Sequence, residues 1–143
     1  MEQGASRFRR GSHAVSDLHA HLVFVTKYRR RCITARVAAI LEQHFKRTCF
    51  SLGVILEEIG WERDHVHLLV SYPPRLSVSS LVHSLKGASS RRVRAQNLEE
   101  VAGVLWGRSF WSPSYCVVSC GGAPLDIIRK YIEGQPGPVS SPA

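Results

Sequence analysis

Two apolar, β-branched runs lie one after the other near the middle of the chain, at residues 54–61 and 65–72. A few polar residues, including Asp64, separate them, which is the pattern of two antiparallel strands joined as a hairpin. Pro73 and Pro74 end the second run. A central hairpin restricts the folds that the segments before and after it can complete.

The flanking segments supply a strand and a helix on each side of this hairpin. Residues 19–26 alternate between two sets of side chains, which predicts a first strand. From Thr34, a suitable helix N-cap, apolar residues recur at helical spacing until Gly53. A second helix fits residues 77–94, and residues 116–119 predict a fourth strand before a final helix. This order predicts an α+β fold with a ferredoxin-like (split βαβ) antiparallel sheet.

The length of 143 residues is typical of a single domain. Residues 1–17 include Arg7, Arg9 and Arg10 without a clear period, and predict a basic flexible arm. Residues 18–135 form the predicted domain. Residues 136–143 are rich in proline and serine and predict a disordered tail.

The composition of the chain indicates the class of its binding partner and its cellular compartment. The chain has 19 Lys and Arg against 11 Asp and Glu, a net charge of +8. This excess suits a polyanion such as nucleic acid, although an ordinary basic protein is the alternative. Cys32, Cys49, Cys116 and Cys120 lack paired C-x-x-C spacing and indicate reduced thiols in the cytoplasm. No apolar run approaches the roughly 20 residues of a membrane-spanning helix.

The strongest chemical signal is a pair of histidines, His65 and His67, in the second hairpin strand. Residues i and i+2 of a strand point to the same face, so the two imidazoles can share one cation. A histidine on a strand is more often an ordinary core or surface residue. Their place after Asp64, in an otherwise apolar strand, favours metal binding.

Tyr131 and Gln135 stand four residues apart in the predicted final helix, so both would lie on one side of it. A nucleophile and a third ligand would then face the histidine pair. Tyr131 can equally pack its ring in the core, which is the usual role of a helical tyrosine. Pro136 disfavours helical geometry at Gln135. Imidazole and amide ligands alone leave the identity of the metal open.

Basic and aromatic residues supply the remaining candidates. Residues 27–31 and 86–94 can follow a sugar-phosphate backbone, or can be ordinary solvated faces. The aromatic residues of the next segment either stack unpaired bases or anchor the last strand. They are Trp106, Phe110, Trp111 and Tyr115.

From about His19 to Gln135, the sequence resembles the single-tyrosine HUH transposases of the smallest bacterial and archaeal insertion sequences, the IS200-like family. Several motifs carry the resemblance in the right order. They are Thr26-Lys27-Tyr28-Arg29, Asp64-His65-Val66-His67-Leu68-Leu69, Lys86-Gly87-Ala88-Ser89-Ser90-Arg91, Gly121-Gly122-Ala123-Pro124 and Tyr131-Ile132-Glu133-Gly134-Gln135.

The resemblance implies an enzyme that cleaves and rejoins single-stranded DNA at insertion-sequence ends through a 5′-phosphotyrosine intermediate. It implies that Tyr131 is the nucleophile, and that His65, His67 and Gln135 hold Mg²⁺ or Mn²⁺. It further implies a homodimer that recognises DNA hairpins, often with the tyrosine helix of one subunit completing the other's site. The DNA-binding candidates are Lys27, Arg29, Arg30, Lys86, Arg91 and Arg92.

Two other functions remain open at this point. One is a non-catalytic module that binds single-stranded nucleic acid. The other is a domesticated relative that processes chromosomal repeats with the same active site, which the protein sequence does not distinguish from a mobile-element enzyme.

Overall fold

A computed structural model describes residues 9–10, 15–96, 98–102, 109–119 and 125–136. Its elements are β1 (Arg9–Arg10), β2 (Val15–Ser16), β3 (His19–Val25), α1 (Ala35–Ser51), β4 (Ile55–Glu62), β5 (His65–Ser71), α2 (Val78–Ala95), α3 (Glu99–Ala102), β6 (Cys116–Ser119) and α4 (Leu125–Glu133).

The main sheet has four antiparallel strands in the order β4-β5-β3-β6. The predicted hairpin is its β4-β5 pair, and β3 lies between β5 and β6. Helices α1 and α2 connect these strands as the sequence predicted. The α+β fold with a split βαβ sheet is therefore confirmed.

The two faces of the sheet have different partners. Leu22, Phe24 and Leu68 point to the face that α1 and α2 cover, and form the main core with them. Val23 and Val25 point to the opposite face, where Tyr131 and other residues pack against them. This second face is here called the site face, because both histidines of the pair lie on it.

Local sequence explains where the two long helices begin. The Thr34 hydroxyl accepts a hydrogen bond from the amide of Val37, and the Ser77 hydroxyl accepts one from the amide of Ser80. Such side-chain caps satisfy amides that have no partner within the helix. Glu100 joins α3 to the start of α1, since its carboxylate accepts from Thr34 at 2.7 Å and from Arg36 at 2.7 Å.

The aromatic segment serves the core more than the surface. Phe110 and Trp111 are buried, and Trp111 packs edge-on against Phe24 with ring centroids 5.7 Å apart. Tyr115 is exposed. Trp106 lies outside the described residues. Of the two interpretations of these aromatic residues, base stacking or anchoring, anchoring applies to Phe110 and Trp111.

Parts of the predicted terminal segments lie in the described structure. β1 pairs with β2, and the Arg9 guanidinium donates to the carbonyl of Ser71 at 2.8 Å. Residues 1–8, 11–14 and 137–143 lie outside the described structure, so the flexible arm and the disordered tail stay predictions.

The described cysteines carry free thiols. Burial raises the pKa of both Cys32 and Cys49 to about 11, so these thiols are protonated at neutral pH. Cys120 lies outside the described residues. Among the described helices, none has both the length and the apolar composition needed to cross a membrane.

Candidate active site

Asp64 holds the first histidine of the pair in one orientation. Its carboxylate lies 2.8 Å from His65 Nδ1 and also pairs with Arg29 Nε at 3.3 Å. Burial by itself raises the pKa of Asp64, but hydrogen bonds and charges from His65 and Arg29 outweigh it and lower that pKa. The ionised carboxylate accepts the Nδ1 proton, so in its uncharged form the imidazole keeps a free lone pair on Nε2.

The second histidine lies flat against a glycine of the neighbouring strand. Gly60 pairs with His67 across β4 and β5. A Cβ built on Gly60 would stand 2.3 Å from His67 Nε2. Burial lowers the pKa of His67, and positive charge on His65 or His21 acts in the same direction. At neutral pH His67 is therefore an uncharged imidazole with a lone pair to donate.

An open cavity of about 540 Å³ lies in front of the pair and is here called the histidine cavity. Three arginines, Arg29, Arg31 and Arg129, contribute to its lining. Acidic and apolar side chains complete the lining around His65 and His67: Glu62, Asp64, Ile132 and Glu133. The guanidinium groups can donate to an anionic group such as a phosphate, while the three carboxylates of the same lining balance their charge.

Helix α4 brings the predicted nucleophile onto the site face. Tyr131 and Ile132 pack against Val23 and Val25. These valines pair directly with His67 and His65 across β3 and β5. Burial raises the pKa of Tyr131. The Tyr131 side chain therefore packs on β3, the strand next to the one that carries the histidines, although Tyr131 is not part of the described lining of the histidine cavity.

Gln135 lies beyond the end of α4. The helix ends at Glu133, and the amide of Gln135 donates to the carbonyl of Ile132 at 3.1 Å. The prediction that one helix presents both Tyr131 and Gln135 is therefore wrong about the length of that helix, which ends before Gln135. The cause is the residue that follows, because Pro136 disfavours helical geometry at Gln135.

Two serines nevertheless bring Tyr131 and Gln135 together. Ser112 and Ser114 each donate a hydroxyl to Gln135 Oε1 at 3.1 Å. Ser114 Oγ also lies 2.7 Å from Tyr131 Oη. Because the single Ser114 proton goes to Gln135, Tyr131 donates to Ser114. Two hydroxyls thus occupy the oxygen of Gln135 that would bind a cation.

These serines belong to residues 109–115, here called the serine loop, which α2 holds in place. Lys86 Nζ donates to the carbonyls of Ser112 at 2.6 Å and Ser114 at 3.2 Å. Trp111 Nε1 donates to Ser89 Oγ at 3.1 Å. Burial lowers the pKa of Lys86. In the sequence, Lys86 was a candidate DNA contact, whereas here its ammonium group binds the loop that touches Tyr131.

The other candidate DNA contacts lie in two places. Arg29 reaches the histidine cavity from the turn after β3, and Lys27 and Arg30 lie in the same turn. Arg91 and Arg92 are exposed on α2, on the opposite side of the sheet from the histidines. The structure therefore groups the residues of the turn with the cavity and separates those of α2 from it.

The residues present fit a divalent cation in part. His65 and His67 supply two imidazoles. Among the described residues, no three His, Cys, Asp or Glu side chains form a cation site. The amide oxygen of Gln135 is of a type that can bind a cation, but here it accepts from Ser112 and Ser114.

Sequence reasoning did not single out Ser112, Ser114 or Gly60. Loop serines are common, and nothing near Ser112 and Ser114 in the sequence marks them as partners of residues about twenty positions later. Gly60 matters only because the register of the strands places it opposite His67, and a single sequence does not show that register.

Comparisons with known proteins identify a family for the chain. Residues 14–135 match the family described as "Transposase IS200 like". The chain is 35% identical over 129 residues to the ISDra2 transposase TnpA of Deinococcus radiodurans, covering 89% of this chain and 90% of that protein. It is 32% identical over 124 residues to the transposase for insertion sequence element IS200 of Salmonella typhimurium, covering 87% of this chain and 80% of that protein.

Solved structures resemble the fold as well. The crystal structure of a proposed transposase from Deinococcus radiodurans has a TM-score of 0.82 at 32% identity, covering 90% of this chain and 98% of that one. A REP-associated tyrosine transposase bound to a REP hairpin has a TM-score of 0.54 at 12% identity, covering 87% of this chain and 68% of that one. The second likeness concerns the fold alone.

Proposed function

Because the chain belongs to the IS200-like transposase family, we propose that it cleaves and rejoins single-stranded DNA at the ends of an insertion sequence, in the cytoplasm. The single observation that carries this proposal is the position of Tyr131. Its helix packs on the two valines that pair directly with His65 and His67. A phenol and two imidazoles on one face of a sheet suit phosphoryl transfer to tyrosine.

In the proposed step, Tyr131 Oη attacks the phosphorus of one phosphodiester. The Oη–P bond forms, the P–O3′ bond breaks, and the DNA is left with a 5′-phosphotyrosine link and a 3′-hydroxyl. The proton lost by the phenol balances the proton gained by the 3′-oxygen. Rejoining is the reverse attack by a 3′-hydroxyl, and needs no ATP because the ester conserves the bond energy.

Chain residues prepare this step in three ways. Arg29, Arg31 and Arg129 supply positive charge for the phosphate that enters the histidine cavity. Asp64 fixes the orientation of His65. Ser114 fixes the phenol of Tyr131, whose pKa burial raises, so the attacking group carries its proton until the bond forms.

We propose that His65, His67 and Gln135 hold Mg²⁺ or Mn²⁺. The cation, when bound, supplies a Lewis acid that offsets the charge of the phosphate. Gln135 must first exchange its hydrogen bonds from Ser112 and Ser114 for the cation.

The proposed substrate is single-stranded DNA whose ends fold into hairpins, and the proposed assembly is a homodimer. Mixing two inactive variants tests whether both subunits build one site. Tyr131→Phe lacks the nucleophile, and a His65→Ala, His67→Ala double variant lacks the imidazoles. Recovery of cleavage in refolded mixtures would support a shared site, while its absence alongside dimers of mixed composition would favour sites within one subunit.

The main experiment incubates the protein with labelled single-stranded DNA from the flanks of its own gene, with and without Mg²⁺ or Mn²⁺. We expect a metal-dependent protein–DNA adduct that survives denaturation and is absent in Tyr131→Phe. Tyr72→Phe is the matched control, because it removes a phenolic hydroxyl just beyond the other end of β5 and should leave the adduct intact. Tight binding without any adduct would instead favour the non-catalytic binding module.

A further inference from the structure

The turn after β3 has an unusual backbone. Tyr28 and Arg29 are consecutive residues with positive φ angles of 60° and 53°. Side chains with a Cβ adopt this left-handed region rarely, because the Cβ crowds the backbone carbonyl. Strained residues of this kind persist where surrounding contacts hold them, and they concentrate at functional sites.

Several hydrogen bonds hold the turn in this shape. The Thr26 hydroxyl donates to the carbonyl of Arg30 at 2.7 Å, and the amide of Arg29 donates to the carbonyl of Thr26 at 2.9 Å. The amide of Lys27 donates to the carbonyl of Phe110 at 3.0 Å. The Arg29 side chain pairs with Asp64 beside His65. The turn is thus fastened to the site that carries the histidines.

The result of this arrangement is an exposed ring between two cations. The side chain of Tyr28 is 40% exposed and lies outside both buried clusters. Lys27 Nζ lies 5.6 Å and the Arg30 guanidinium carbon 5.9 Å from the centre of the ring. Both cations lie over the ring, so a base that stacks on Tyr28 displaces one of them, and that cation can then bind the adjacent phosphate of single-stranded DNA.

We propose that Tyr28 is a stacking platform for one unpaired base of the DNA strand, close to the phosphate that enters the histidine cavity. The proposal rests on the function proposed above. The connection to the cavity is Arg29, which follows Tyr28 in the chain and lines that cavity. The strained turn therefore places a base-binding ring and a phosphate-binding cation on consecutive residues.

The test measures stacking separately from cleavage, in the Tyr131→Phe background. Single-stranded oligonucleotides from the gene flanks carry 2-aminopurine, whose fluorescence falls on stacking with an aromatic ring, at one position at a time. We expect quenching at one position near the cleavage site, retained in Tyr28→Phe and lost in Tyr28→Leu. Tyr28→Leu should also weaken binding about tenfold.

Phe50→Leu is the matched control, because Phe50 is an 88% exposed aromatic residue at the carboxyl end of α1. It should change neither quenching nor affinity. The proposal is overturned if Tyr28→Leu binds and quenches like the parent protein, or if Phe50→Leu has the same effect as Tyr28→Leu. If quenching depends on Tyr28 but the protein with Tyr131 intact forms no covalent adduct, the proposed chemistry is refuted and the stacking platform is not.

Discussion

Replacing Gly60 with alanine tests whether the contact between this glycine and His67 matters for the site. An alanine Cβ at this position would lie 2.3 Å from His67 Nε2 and 2.5 Å from Cε1. Ordinary contacts of a Cβ begin at 3.4 Å, so the imidazole must retreat by about 1 Å. Gly60 lies within a paired strand, which limits how far the backbone can yield instead.

The size of the effect follows from this displacement. Overpacking of this kind costs about 1–3 kcal/mol of unfolding free energy. A displacement of about 1 Å in a catalytic group lowers rates by about a hundredfold. We therefore expect Gly60→Ala to fold, with a modest loss of stability, and to form the DNA adduct about a hundred times more slowly.

The assay combines initial rates of adduct formation with urea denaturation. Gly87→Ala serves as the stability control, because its Cβ would meet only the end of the Arg91 side chain at 3.3 Å. In the interior of α2 that change should stabilise the protein by up to about 1 kcal/mol. If His67 transmits the effect, adding Gly60→Ala to His67→Ala should cost little further stability. Equal stability losses in the two backgrounds, or a parental rate in Gly60→Ala, would refute the reasoning.

Three further changes test other parts of the structure. Lys86→Met removes the donor from two serine-loop carbonyls and should lower the free energy of unfolding by about 1.5–3 kcal/mol. Because the ammonium group of Lys86 donates to these carbonyls, its loss should not change the salt dependence of DNA binding. A shallower salt dependence would restore Lys86 as a DNA contact. Ser114 lowers the pKa of Tyr131 because its hydroxyl can turn to donate to the ionised phenol, so in Ser114→Ala that pKa should rise further in a spectrophotometric titration, and an unchanged value would contradict the pairing. Ionised Glu100, held by Arg36, has a pKa of about 2 against an ordinary 4.5, so its contribution to stability is present above pH 4.5 and is lost as the pH falls towards 2. The melting temperature of Glu100→Gln should therefore lie below that of the parent protein at pH 7 and approach it only near pH 2, and a pH-independent difference would argue against the ion pair.

The elements of the fold could be predicted because their signals are local in the sequence. The hairpin, both long helices and the Thr34 cap each depend on residues a few positions apart. The histidine pair could be predicted for the same reason, since i and i+2 share a face of any regular strand. The extent of α4 was predicted less well, because the periodic pattern favoured a helix through Gln135 while Pro136 opposed it.

The contacts that complete the site could not be predicted, because they depend on register between strands, and Gly60 shows why. In β4 the pairing with β5 shifts by one residue between Leu56 and Glu58. Continuing the earlier register would pair Ile59 with His67 and place its branched side chain where the imidazole lies. The bulge moves Ile59 opposite Leu68 on the core face and brings Gly60 opposite His67. Strict alternation along residues 55–62 cannot reveal this shift, yet the space for the second imidazole depends on it.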